Sequence, residues 1–299
     1  MDVLQVDNLS KHYGNIKALD KLSFSVKEGQ VMGLLGPNGS GKTTTLGIIL
    51  GILNQTSGSF TWFENQYQGK HRLHIGSILE TPNFYPYLNA DDNLNIIRQI
   101  KGVNEKNFDE LLELVKLSGR RNSPFRTYSL GMKQRLAIAA TLIGDPKIVI
   151  FDEPTNGLDP EGIAEVRSIL KDIASRGNTV IMASHILDEV EKICSHVTII
   201  KKGSLLSTGP VGSILSEDIT IEIGAENNDT LLNFLNSYPG INSLKLIGNH
   251  VECKANPSLV VVDLNKKAIS NGININHLIA RKQRLEEEFL EIVKGQDNN

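Results

Sequence analysis

Gly36-Pro37-Asn38-Gly39-Ser40-Gly41-Lys42-Thr43, followed by Thr44, is a glycine-rich turn of the form GxxxxGK[ST]. A turn of this kind leaves bare backbone N–H groups at the start of a helix, where they can wrap a phosphate chain. The flanks supply the context that the pattern requires. Gln30-Val31-Met32-Gly33-Leu34-Leu35 is a short apolar run of strand type, and residues 44–50 continue as a helix until Gly51. The glycines permit close backbone approach, Lys42 brings a cation to the β/γ oxygens, and Thr43 offers a hydroxyl to Mg2+.

Outward from this loop, strands and helices alternate. Residues 2–7 and 22–27 alternate apolar and polar as half-buried antiparallel strands do, and further strands are expected at 57–63 and 75–79. Residues 90–117 carry helical apolar spacing and read as a helical insert. A helix over 132–143 stops at Gly144-Asp145-Pro146, and Lys147-Ile148-Val149-Ile150-Phe151-Asp152 comes next as a strand buried on both faces. A helix near 160–175 and a buried strand at 179–183 complete an alternation that calls for a parallel α/β sheet. A loop-rich connection over 203–216 leads to a small α+β domain, with strands near 219–223, 243–247, 250–254 and 273–279 and helices near 229–237, 257–271 and 285–293. The expected domains are 1–215 and 216–299, and the second carries no recognisable chemistry.

Composition narrows the function. The 31 basic and 34 acidic residues leave a net charge of -3, so no global field favours nucleic acid. Cys194 and Cys253 stand far apart without metal-ligand spacing and read as thiols in a reducing compartment. Residues 1–7 are not expected to be a secretory leader, since they lack a basic end and a long apolar segment, and no apolar run reaches the roughly 18 residues of a membrane span. If the protein works at a membrane, another polypeptide does the spanning.

The phosphate loop alone names only a superfamily, and residues further along the chain discriminate within it. Asp152 closes an apolar strand at its carboxyl end, where open α/β sheets bind ligands, and can hold Mg2+; Glu153, one residue on, can polarise an attacking water. His185 emerges after the next buried strand at the same edge, where it can sense a γ-phosphate or hold that water. The other histidines read as structural. A GTPase or small-molecule kinase is a weaker reading, since the nearest match to a guanine-reading NKxD, Asn265-Lys266-Lys267-Ala268, lacks the aspartate and lies in the wrong domain.

Over residues 1–215 these motifs resemble the nucleotide-binding subunits of ABC transporters. The resemblance makes residues 36–43 the Walker A loop, 148–153 the Walker B strand with its catalytic Glu153, Asn156-Gly157-Leu158-Asp159 the D-loop and His185 the switch. It places Tyr13 where the family stacks an aromatic ring on adenine, against the competing reading of a core tyrosine. The family signature LSGGQ appears as Tyr128-Ser129-Leu130-Gly131-Met132, with Ser129 and Gly131 matching and Leu130 and Met132 departing. Ser129, at a helix start, would grip the γ-phosphate bound to the opposite subunit, so working sites would form only in a homodimer. Where the family has glutamine, this chain has Glu80, a further contact to metal and nucleotide. That variant, with Phe84-Tyr85-Pro86-Tyr87-Leu88 and the charged stretch Leu285-Glu286-Glu287-Glu288-Phe289-Leu290, is similar to exporters of the bacitracin and lantibiotic self-protection type.

The resemblance implies an α/β phosphate-loop ATPase with an antiparallel β subdomain and a helical insert. It further implies ATP and Mg2+ as ligands, separate integral membrane permease subunits as partners, and a cytoplasmic place on the inner face of the cell membrane. The function expected is export of a peptide antibiotic or similar amphipathic compound. The alternative is a soluble ATPase of the same type acting as a switch on ribosome or nucleic acid, which fits poorly with a single cassette, near-neutral charge and no long coiled-coil insertion.

Overall fold

The computed structural model describes residues 1–67, 69–79, 83–104, 107–214, 219–256 and 259–282. The chain divides into two compact units, Met1–Val211 and Gly212–Asn299. Glu80 and the expected helix at 285–293 lie outside the described residues.

The first unit begins with β1 (Asp2–Tyr13) and β2 (Ile16–Lys27), an antiparallel pair joined later by β4 (Ser57–Trp62) in the order β2-β1-β4. Both first strands run well past the alternating windows visible in sequence. Bulges at Val6/Leu9 and Leu9/Lys11, with Asn8 and Lys21 at positive φ, interrupt the two-residue period without ending the pairing. Between β2 and β4 come β3 (Val31–Leu35), whose five residues are all buried, and α1 (Lys42–Ile49). Trp62 ties the two parts together by donating its indole N–H to Ile49 O at 2.8 Å.

After β5 (Ile75–Ile78) the chain enters the helical insert, α2 (Ala90–Lys101) and α3 (Asp109–Leu114). Asn89 caps α2 by accepting from Asp92 N at 2.9 Å, and Gly102 closes it in the left-handed region. Arg121 pairs with Asp91 and Asp109 in the first turns of both helices, so one guanidinium pins two helix starts. α4 (Leu130–Leu142) then leads to β6 (Ile148–Asp152), α5 (Pro160–Ser175) and β7 (Thr179–Ser184). α5 shows how local chemistry sets an element. Asp159 caps it by accepting from Gly162 N, Pro160 opens it, and Val166, Ile169, Leu170 and Ile173 bury one stripe.

α6 (Leu187–Ile193), β8 (His196–Lys201) and β9 (Ser204–Pro210) complete this unit, and α7 (Val211–Ile214) starts at its last residue and runs into the second. The expected loop-rich connection over 203–216 is thus corrected: its first half is a strand. β8 and β9 form a hairpin whose turn places Lys202 and Gly203 at φ +48° and +80°, the twist that a two-residue hairpin demands. The central sheet has the order β5-β6-β7-β3-β8-β9, parallel from β5 to β8 and antiparallel only at β9. Glycine at 203 is also a steric requirement, since a Cβ there would meet Ala18 O at 2.6 Å.

The second unit runs β10 (Ile219–Ala225), α8 (Asn228–Asn236), β11 (Ile241–Ile247), β12 (His250–Ala255), α9 (Val261–Ser270) and β13 (Ile275–Lys282). Its sheet order β11-β12-β10-β13, antiparallel throughout, is that of a split β-α-β double unit. Ile221, Ile223, Val251, Cys253 and Ala255 alternate inward against Leu231, Leu235, Leu264 and Ala268 of the helices, giving the unit its own core. The helix expected from residue 257 begins at Val261, four residues later than the sequence spacing suggests.

Candidate active site

Strands β6, β7 and β3 are neighbours, so their carboxyl ends bring three chain segments to one edge. Register fixes the alignment: Leu35 pairs with Ser184 and Asp152 with Ala183. The glycine-rich loop leaves β3 at Gly36, Glu153 comes directly after β6, and His185 directly after β7.

The loop is built around the ammonium of Lys42. Nζ donates to Gly36 O at 2.8 Å and Pro37 O at 3.3 Å, and the side chain is only 6% exposed. Gly36 is needed where the loop turns, because a Cβ would lie 2.2 Å from Ile200 O and 2.5 Å from Ser40 Oγ. The α1 N-cap residue, Gly41, offers no side-chain acceptor, so the first N–H groups of the helix carry no side-chain cap. Among the described residues Ser40 Oγ is buried without a hydrogen-bond partner, while Pro37, Asn38, Gly39 and Thr43 are exposed and Thr44 is half-buried. Uncapped donors beside a cation are the features an anionic phosphate chain fits.

Glu153 adopts φ +48°, costly for a side-chain-bearing residue, and its N–H donates to Ala183 O at 3.0 Å. In that conformation its carboxylate reaches two partners. Oε1 lies 3.4 Å from Lys42 Nζ, and Oε2 lies 2.8 Å from His185 Nδ1. A carboxylate only accepts, so this contact puts the imidazole proton on Nδ1. Asp152, one residue before, is 5% exposed at the strand end. The sequence therefore pointed to residues that the fold does assemble: Lys42, Glu153 and His185 are in contact, with Asp152 and Thr43 on the adjoining segments.

Ser129, Gly131 and Asp159 line a different cleft, of about 360 Å³, together with Leu130, Met132 and Gly157. Ser129 caps α4 by accepting from Met132 N at 3.3 Å, which starts that helix at Leu130 rather than at the expected 132. Behind it, Tyr128 is buried and donates its hydroxyl to Arg120 O at 2.8 Å; burial pushes its pKa up. Among the described residues no hydrogen bond or ion pair joins this cleft to Lys42, Glu153 or His185. Leu130 is 47% exposed and closes over Gly157, at whose position a Cβ would come within 3.3 Å of Leu130 Cδ2.

Tyr13 ends β1, 47% exposed, with Lys11 Nζ 4.8 Å from its ring centroid, so it is not a core residue. Two supports escaped the sequence reading. Gly203 donates its N–H to Ser40 O at 2.9 Å, bracing the phosphate loop from the β8–β9 turn. Ser184 and Glu189, both fully or almost fully buried, are hydrogen-bonded beneath His185.

The family described as ABC transporter matches residues 19–156. The bacitracin transport ATP-binding protein BcrA of Bacillus licheniformis is 36% identical over 301 residues, covering 98% of this chain and 98% of that protein. The lantibiotic transport ATP-binding protein SrtF of Streptococcus pyogenes is 41% identical over 204 residues, covering 68% of this chain and 89% of that one. A solved dimeric structure of the ATP-binding cassette MJ0796, in a post-hydrolysis state bound to ADP and Pi, matches with a TM-score of 0.61 at 25% identity, over 70% of this chain and 98% of that one. With its glycine-rich loop, acidic strand end and His185 on adjacent parallel strands, the chain belongs to the ABC transporter family, as an ATP-binding subunit that hydrolyses ATP.

Proposed function

We propose that this subunit powers the export of a peptide antibiotic or similar amphipathic compound, through separate integral membrane subunits at the inner face of the cell membrane. The observation that carries this reading is the likeness to BcrA, which runs through both units rather than stopping at the ATP-binding one. Among the described residues no helix is long and apolar enough to cross a membrane, and in this reading the partner subunits do so. The ribosomal or nucleic-acid alternative gains nothing from the relatives.

In the proposed cycle the loop of residues 36–44 wraps the phosphates of ATP while Lys42 neutralises the β/γ oxygens and Tyr13 stacks on the base. The phosphate competes with Glu153 for Lys42, which turns the Glu153 carboxylate toward the attacking water. Glu153 accepts the water proton, and His185, held through Nδ1, steadies the reacting end. Thr43 and Asp152, with Glu80, would hold Mg2+; a hydroxyl and carboxylates are hard oxygen donors that suit a cation keeping waters and phosphate oxygens as its other ligands. When bound, Mg2+ supplies charge neutralisation at the β/γ oxygens. Ser129 and Gly131, in their separate cleft, would meet the γ-phosphate of a second copy, with Asp159 alongside. A head-to-tail homodimer then closes on ATP and reopens after hydrolysis.

The test is to isolate the tagged full-length chain from detergent-solubilised membranes of its own cells and to delete its gene in parallel. The expected outcome is a co-purifying multi-span membrane protein, and greater sensitivity to bacitracin-like or lanthionine peptides on deletion. Ribosomal components in place of a membrane protein, with unchanged sensitivity, would contradict the reading. The second unit is proposed to serve assembly or regulation. A chain ending at Ile214 is accordingly expected to bind ATP with affinity within about threefold of the full chain, checked by calorimetry.

A further inference from the structure

Glu189 lies in the first turn of α6, where an acidic side chain ordinarily faces water and complements the helix dipole. Here it is 2% exposed. One carboxyl oxygen, Oε2, accepts from Ser184 Oγ at 3.1 Å; the other, Oε1, is buried with no hydrogen-bond partner among the described residues. A buried carboxyl with an unmatched oxygen costs stability, so packing does not account for it. What it does hold is the hydroxyl that shapes the turn carrying His185.

Ser184 is fully buried at the end of β7 and has one proton to donate. Giving that proton to Glu189 leaves an Oγ lone pair aimed at Ile186 N–H, which it accepts at 3.0 Å. The competing acceptor is Ile186 O, 3.5 Å from the same hydroxyl. Without Glu189 that carbonyl is the acceptor left to the hydroxyl among the described residues, and the lone pair then swings off the Ile186 N–H. The residue between these two is His185, whose N–H and Nδ1 both face Glu153 Oε2, at 3.4 and 2.8 Å. On the other side, Ser184 O accepts from Gly36 N at 3.3 Å, a backbone contact that needs neither side chain.

We propose that Glu189 is a positioning residue for ATP hydrolysis: through Ser184 Oγ it fixes the turn that presents His185 to Glu153. The proposal rests on the roles given above to His185 and Glu153 and adds the device that orients one toward the other. Because the phosphate loop is tied to Ser184 only through its backbone, the effect falls on turnover and spares ATP binding.

The experiment is steady-state hydrolysis of Mg-ATP by the purified full-length chain, with melting temperature measured on the same preparations. Glu189→Met keeps the volume and removes the acceptor, and is expected to lower kcat about tenfold while KM stays within about twofold. Its melting temperature is expected to hold or rise, since an unmatched buried oxygen is gone; a purely structural carboxyl would show a fall in melting temperature with unchanged kcat. Glu189→Gln, which retains an acceptor, recovers most of the rate, and Ser184→Ala reproduces the loss. The Ser184→Ala/Glu189→Met double variant loses no more than either single one, because both act through one hydroxyl. Unchanged kcat in Ser184→Ala, a one-atom deletion that decides the matter even if Glu189→Met does not fold, would overturn the proposal; so would additive losses. His185→Ala separates the two levels. If it hydrolyses normally, the role of His185 itself is wrong, whereas a slow His185→Ala beside a normal Glu189→Met removes only the positioning by Glu189.

Discussion

Lys42→Ala is expected to cut ATP turnover by at least about 100-fold, roughly 2.7 kcal/mol in barrier, with nucleotide affinity falling alongside. The ammonium is almost completely enclosed and held by two loop carbonyls, so its place is fixed before any phosphate arrives. Truncation leaves those carbonyls without their donor and the β/γ oxygens without their cation. Hydrogen bonds to charged groups are worth about 1.5–3 kcal/mol each, so losing several exceeds what the remaining backbone donors restore. Phosphate release and calorimetric binding check this together. Hydrolysis within about threefold of the unaltered chain would mean that Lys42 is not the phosphate cation.

Glu153→Gln is the second large effect, and it separates binding from chemistry. Glutamine keeps the shape and an acceptor for His185 Nδ1, but it cannot take a proton from water. General bases contribute about 10²–10⁴-fold, so turnover is expected to fall within that range while ATP binding survives. Loss of the charge next to Lys42 also removes the competitor that ATP must displace. Affinity for ATP is therefore expected to be unchanged or higher.

The fold and site were legible in sequence to the extent that local chemistry determines them. The phosphate loop, the buried strand ending in Asp152 and the capped helix α5 each carry their own signal in consecutive residues. Position along the chain was enough to place His185 at the shared edge, since parallel strands all present their carboxyl ends there. The errors have physical causes of the opposite kind. β9 reads as a loop because Ser, Thr, Gly and Pro make up five of its seven residues; pairing with β8 makes it a strand, a tertiary effect that local propensity does not contain. The alternating windows at 2–7 and 22–27 cover only part of β1 and β2 because bulges shift the alternation midway.

The start of α4 shows a smaller loss of the same sort. Ser129 is a good helix cap on its own, but Leu130 and Gly131 behind it disguise the first turn, and the cap is evident only from its bond to Met132 N. Glu189 was invisible for a different reason. An acid in a helix's first turn has an ordinary solvent-facing explanation, and only burial with Ser184 reveals another.

The most direct test of the account is sedimentation of the purified full-length Glu153→Gln chain, with and without saturating Mg-ATP, alongside a count of bound nucleotide. ATP binding at Lys42, water activation at Glu153 and a γ-phosphate contact from Ser129 of a second copy together predict a monomer without ATP. With ATP they predict a stable dimer holding two unhydrolysed nucleotides. A chain that stays monomeric in saturating ATP and hydrolyses it at the normal rate would contradict both the catalytic assignment and the shared site.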